Sequence, residues 1–199
     1  NLVDQILPIL DEGGVYVDFE DQRVKHNFEF NSIDKNYLSH IKWPEKHPCA
    51  GQPVELRDYQ VETINKFIEN PQCIQEIATG AGKTLITAAL SYKIEAYGRS
   101  IVIVPNKDLV TQTEADYINL GLDVGVYFGD RKDFGKTHTI CTWQSLNIME
   151  KRFRDGEQDW GLHAFAEGVV CVMVDEVHQA KADVLKNILT RNLRNAPIR

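Results

Sequence analysis

The stretch Ile77-Ala78-Thr79-Gly80-Ala81-Gly82-Lys83-Thr84 limits what this chain can fold into more than any other. It follows the strand-like run CIQEI (73–77) and opens a segment with helical periodicity, so it predicts a strand, a glycine-rich turn and a helix in succession. Glycines on either side of Ala81 let the backbone curl until successive N–H groups and the helix N-terminus point the same way. Such a concavity suits a group with several negative charges, as in a phosphate chain. Lys83 is then placed to reach the β and γ phosphates, and the Thr84 hydroxyl to ligate Mg2+. The strict G-x-x-x-x-G-K-T form has glycine where Ile77 stands. G-x-G-K-T itself is intact, and only the leading turn differs.

Around this turn the text alternates. Helical spacing of Val61, Ile64, Phe67 and Ile68 precedes the loop. Strands are predicted at 73–77, 100–104, 123–128, 138–141 and 169–174, and helices at 83–97, 107–119, 143–152 and 182–194. Strands alternating with helices require crossover connections, which build a parallel α/β sheet covered on both faces, with ligands at the carboxyl ends of its strands. Upstream, residues 2–12 predict a short helix interrupted by Pro8 and stopped by Gly13-Gly14, and VYVDFE (15–20) alternates as a half-buried strand does. From Asp21 to Pro53 the text is polar and punctuated by proline, as a connector is. Residues 1–53 therefore read as the end of a small α/β appendage plus linker, and 54–199 as the main domain.

At the end of the apolar run Val172-Met173-Val174 stand Asp175 and Glu176. Adjacent acids there can cap a following helix. Beside a phosphate loop they suit other work, with Asp175 holding Mg2+ and Glu176 polarising an attacking water. His178, just beyond, is either a satisfied core side chain or a sensor of the γ-phosphate side.

With 43% hydrophobic and 26% charged residues among 199, the composition is that of an ordinary globular chain with room for one substantial core. No apolar run is long enough to span a membrane, and the first residues carry acids where a secretory signal would carry positive charge, so a cytoplasmic location is expected. Cys49, Cys73, Cys141 and Cys171 are widely spaced with no C-x-x-C pair, which favours reduced thiols over disulfides or a zinc site. The net charge of -7 excludes a uniformly cationic surface but not a local groove; Lys181, Lys186, Arg191, Arg194 and Arg199 make the end locally basic. A start at Asn1 and a stop after Pro197-Ile198-Arg199 suggest a piece of a longer protein.

A-T-G-A-G-K-T (78–84) and D-E-V-H (175–178) resemble motifs I and II of superfamily 2 helicases and translocases. Leu56-Arg57-Asp58-Tyr59-Gln60 is similar to the upstream element whose glutamine recognises adenine. Ile101-Val102-Ile103-Val104-Pro105 with Leu109, Val110 and Gln112 resembles motif Ia, and Thr142-Trp143-Gln144-Ser145-Leu146 resembles the next nucleic-acid-facing motif. All arrive in the family's order. The T-W-Q-S-L element, the acidic box and the upstream unit look most like the UvsW-type helicases of phages, which remodel branched DNA and would place the protein in a host cytoplasm.

This resemblance implies a RecA-like fold and an ATP- and Mg2+-dependent motor acting on branched or duplex DNA. Arg57 and Gln60 would hold adenine, Thr79, Gly80, Ala81, Gly82, Lys83 and Thr84 would hold the phosphates, and Thr84 and Asp175 the Mg2+. Glu176 would be the catalytic base and His178 the coupling residue. Pro105, Lys107, Gln112, Thr142, Trp143 and Gln144 would line the nucleic-acid track, the less favoured alternatives being Trp143 as a core aromatic and Lys107 as a surface charge at a helix start. Motif III and a second RecA-like domain with its arginine finger fall outside 1–199, so this chain is expected to bind nucleotide better than it hydrolyses it. A restriction-type translocase subunit, a non-hydrolysing nucleotide-binding module and an RNA substrate are the alternatives.

Overall fold

The computed structural model describes residues 2–18, 28–179, 182–193 and 196–199. A five-stranded sheet forms its centre. In chain order the elements are α1 (Leu2–Glu12), α2 (Asp58–Glu69), α3 (Lys83–Ile94), β1 (Arg99–Val104), α4 (Lys107–Asn119), β2 (Val124–Phe128), β3 (Arg131–Lys132), β4 (His138–Thr142), α5 (Trp143–Arg154), α6 (Leu162–Phe165), β5 (Val169–Val174) and α7 (Ala182–Asn187). Strands lie in the order β3-β2-β4-β1-β5, and every pairing is parallel except β2 with the short β3.

Alternation along β1 shows how the core is built. Val102 and Val104 point into a cluster with Ile64, Leu90, Ile94 and Tyr117 on the α2, α3 and α4 side. Ile101 and Ile103 point the other way, against Leu146, Met149, Leu162 and Leu185. All four β1 side chains are essentially fully buried, each contributing about 1.5–3 kcal/mol by leaving water. The sheet thus carries helices on both faces, as the strand-helix alternation predicts. Helix α4 begins after Asn106, whose side chain accepts from the Leu109 N–H, and α5 begins after Thr142, which accepts from the Ser145 N–H.

The structure departs from the sequence reading in several places. Residues 73–77 form no ladder. Among the described residues Ile198 lies beside β5, bridging Cys171, and the Cys73 N–H donates to the Arg199 carbonyl, so 73–77 meet the chain next to β5 and not a sheet strand. Among the described residues, 15–18 have no partner strand, with Tyr16 almost wholly exposed, and 19–20 lie outside the described residues. Helix α1 continues through Pro8, at the loss of one backbone hydrogen bond in an exposed helix. Helix α3 stops at Ile94, ahead of Gly98. The stretch 182–194 splits into α7 and a wide turn at Ile188–Asn192, while Lys181 and Arg194 lie outside the described residues. Cys141 and Cys171 are buried with thiols pushed up by desolvation, Cys49 is exposed, and all four are free. Among the described residues no helix is long and apolar enough to cross a membrane.

Buried His138 is expected to make the fold acid-sensitive. Desolvation holds its imidazole below the ordinary histidine value, with Glu95 opposing through a hydrogen bond. Between the folded and unfolded values the unfolded chain holds a proton that the folded chain lacks. Stability is therefore expected to fall as pH drops below about 6.5. Urea midpoints at about pH 7.5 and 5.5 measure this; a His138→Gln variant losing as much between those pH values as the wild type would exclude His138 as the source.

Candidate nucleotide site and its edge

Parallel strands β4, β1 and β5 all end on one side of the sheet, where their connections meet. Strand β5 delivers Asp175 and Glu176 there, the Asp175 N–H being held by the Ile103 carbonyl at 2.9 Å. Glu176 takes a left-handed backbone conformation (φ 51°), unusual for a residue with a side chain. The preceding carboxylate supports it, Asp175 Oδ1 accepting from the Glu176 N–H at 3.0 Å.

The glycine-rich loop arrives beside these acids. Gly80 (φ 78°) and Gly82 (φ 77°) are both left-handed. At Gly80 a Cβ would meet open space, so its need is conformational; at Gly82 it would stand 2.7 Å from Gln60 Nε2, a steric need as well. Helix α3 starts directly on this loop with no side-chain cap, leaving its first-turn N–H groups for an outside acceptor. Lys83 Nζ donates to Glu176 Oε1 and lies 4.0 Å from Asp175 Oδ1. The hydrogen bond between Lys83 and Glu176 raises the lysine and lowers the glutamate. Burial raises Asp175, and Lys83 partly offsets it. An ammonium held between two carboxylates is positioned to exchange them for other oxygens.

The L-R-D-Y-Q element packs onto the same loop. Gln60 is buried; its amide donates to the Ala81 carbonyl at 3.0 Å, while its carbonyl accepts from the Arg57 N–H at 2.9 Å. Tyr59, which the sequence reading did not select, donates its hydroxyl to the same Ala81 carbonyl at 3.0 Å and accepts from Arg57 Nη1 at 3.2 Å. Its only signal was membership of the L-R-D-Y-Q string. Thr79 and Thr84 flank the turn. His178 is largely exposed, its Nε2 3.5 Å from Glu176 Oε2.

Along the edge, Pro105, Lys107 and Gln112 stand at and beyond the end of β1, Lys107 and Gln112 both exposed. Gln144 is exposed and donates to the Pro105 carbonyl at 3.2 Å, joining the β1 and β4 ends. Two expected track residues face inward. Thr142 is buried because its hydroxyl caps α5, and Trp143 packs against the second core cluster with its indole N–H buried and unpartnered among the described residues.

Fold and site together define an α/β domain of the RecA-like class. Residues 53–198 match the family described as type III restriction enzyme, res subunit, and the chain belongs to that family. It is similar to the DNA 3'-5' helicase XPB of Mycobacterium tuberculosis, 28% identical over 207 residues that cover 92% of this chain and 34% of that protein. It is also similar to the protein translocase subunit SecA of Sorangium cellulosum, 29% identical over 144 residues covering 68% and 14%. The crystal structure of the UvsW helicase from bacteriophage T4 shares the fold, with TM-score 0.67 and 22% identity over 99% of this chain and 68% of that one. These likenesses agree with the superfamily 2 reading of the motifs. The chain spans about a third or less of the length of the curated relatives it matches.

Proposed function

We propose that this chain is the nucleotide-binding half of an ATP-driven motor that moves on DNA. The observation that carries the reading is the meeting of Lys83, Asp175 and Glu176 beside a glycine turn and the uncapped start of α3. The first-turn N–H groups and Lys83 suit the β and γ phosphates. As Lys83 turns to them it releases Glu176, whose carboxylate is then free to polarise a water. Thr84 and Asp175 would hold Mg2+, which when bound would supply positive charge beside the phosphates. Gln60 joins Arg57 to the Ala81 carbonyl, so a base held by Gln60 and Arg57 would bear on the position of Ala81. His178, beside Glu176, is placed to carry nucleotide state outward.

Exposed Lys107, Gln112 and Gln144, with Pro105, offer contacts to a sugar-phosphate backbone, which makes binding salt-dependent and nearly blind to sequence. The likeness to a protein translocase makes the substrate the point to test. Binding of single-stranded, branched and duplex DNA, and of RNA, is measured by anisotropy across salt concentrations with and without Mg-ATP. DNA binding that responds to nucleotide, with a salt slope reduced by about one in Lys107→Ala, is expected. Failure to bind any nucleic acid with or without nucleotide would sink the DNA-motor reading and leave a nucleotide-binding module.

A further inference from the structure

Tyr59 is placed by its hydrogen bonds and not by burial. It is 39% exposed, and its ring belongs to neither core cluster. What holds it is the hydroxyl, which accepts from Arg57 Nη1 at 3.2 Å and donates to the Ala81 carbonyl at 3.0 Å. An arginine nitrogen can only donate, so the single hydroxyl hydrogen is left for Ala81. The Gln60 amide donates to the same oxygen, also at 3.0 Å. A carbonyl oxygen has two lone pairs. Both are taken here by side chains from the first turn of α2, 22 and 21 residues upstream.

That double hold fixes a whole peptide unit. Ala81 lies between the left-handed Gly80 and Gly82, so its neighbours are the residue type with the widest choice of backbone conformation. A trans peptide is planar and carries its carbonyl and the following N–H on opposite sides. With the Ala81 carbonyl turned onto α2, the Gly82 N–H faces away from α2. Gly82 is exposed, and its N–H has no hydrogen-bond partner among the described residues. Next in the chain is Lys83, the first residue of α3. Gln60 closes the other side of the turn, since a Cβ on Gly82 would stand 2.7 Å from Gln60 Nε2.

We propose that Tyr59 is a positioning residue for phosphate binding: by holding the Ala81 carbonyl it aims the Gly82 N–H at the phosphate chain. This rests on the nucleotide-site reading and extends it to a residue on the base side of the turn. The two donors to Ala81 differ in what else they can do. The Gln60 amide has a second hydrogen and a second lone pair, and can turn to a base. Tyr59 has one hydrogen, and it is on Ala81. Tyr59 therefore holds the turn whether or not a base is present, and a phosphate chain without a base should feel its loss as ATP does.

The test compares the wild type with Tyr59→Phe, which keeps the ring and deletes the hydroxyl, in calorimetric titrations with ATP and with inorganic tripolyphosphate, both with Mg2+. The two affinities are expected to fall by the same factor, about two- to tenfold, the worth of one neutral hydrogen bond. Nuclear magnetic resonance of the backbone-assigned chain adds a readout that general loosening of the fold would not give. Tripolyphosphate should move the Gly82 amide proton downfield in the wild type, and move it less in Tyr59→Phe. A loss confined to ATP would put Tyr59 on the base and overturn the proposal. Unchanged affinity for both ligands overturns it too, as does a wild-type Gly82 amide that tripolyphosphate leaves in place, a result that does not depend on how the variant folds. If the wild type binds neither ligand, or binds them no better than Lys83→Ala does, the nucleotide-site reading falls and the proposal with it.

Discussion

Lys83→Ala is expected to weaken Mg-ATP binding by about 10- to 150-fold, the worth of a charge-assisted hydrogen bond of about 1.5–3 kcal/mol. Two effects act in the same direction. Removing the ammonium deletes the attraction for the phosphates, and it leaves Asp175 and Glu176 facing the same space with the cation between them gone. Asp175 is already raised by burial, and Lys83 is the partner that offsets this. Calorimetric titration of wild type and variant decides the matter: equal affinity in a folded variant would remove Lys83 from the site.

Gly98→Ala is expected to cost about 3 kcal/mol and to lower Tm by roughly 10 °C. The backbone there has φ 154°, and an added Cβ would stand 2.7 Å from the Gly168 carbonyl oxygen and 2.8 Å from Val170 Cγ1. Val170 can rotate. The Gly168 carbonyl cannot move freely, since it accepts from the Arg99 N–H at 2.8 Å and so ties the start of β1 to the turn before β5. Gly129→Ala is the control. It is also left-handed (φ 50°) but has nothing within 4 Å of its added Cβ, so it should show only the conformational cost of about 1–2 kcal/mol. Equal melting temperatures for the two variants would show that the collision at Gly98 is absorbed.

Much of the architecture was legible because its signals are local. Helix α4 is predicted at 107–119, its observed limits, and the structure adds the Asn106 cap at its start. Strands β1, β2, β4 and β5 announce themselves as short β-branched runs between helical segments. The glycine turn needs neighbouring residues only, so its left-handed glycines follow from sequence. Residues 73–77 read equally well as a strand, but a strand exists only where a neighbour supplies hydrogen bonds, and composition does not say which neighbour stands there. The burial of Thr142 and Trp143 was not legible for a related reason: a motif names residues, while burial depends on which way the chain turns at the end of β4.

The sequence by itself determined the alternation of β1, α4, β2, β4, α5 and β5, the glycine turn and the two acids. Each depends on propensity, periodicity or the steric freedom of glycine within a few residues. Only the tertiary structure decided that Lys83 lies between Asp175 and Glu176, that Gln60 and Tyr59 share the Ala81 carbonyl, and that hydroxyls from α3, α4 and β1 form one line ending at His138. Those arrangements join residues far apart in the chain. Such residues meet only after the strands have paired and the helices have packed, and no local pattern records a hydrogen bond to a residue on another element.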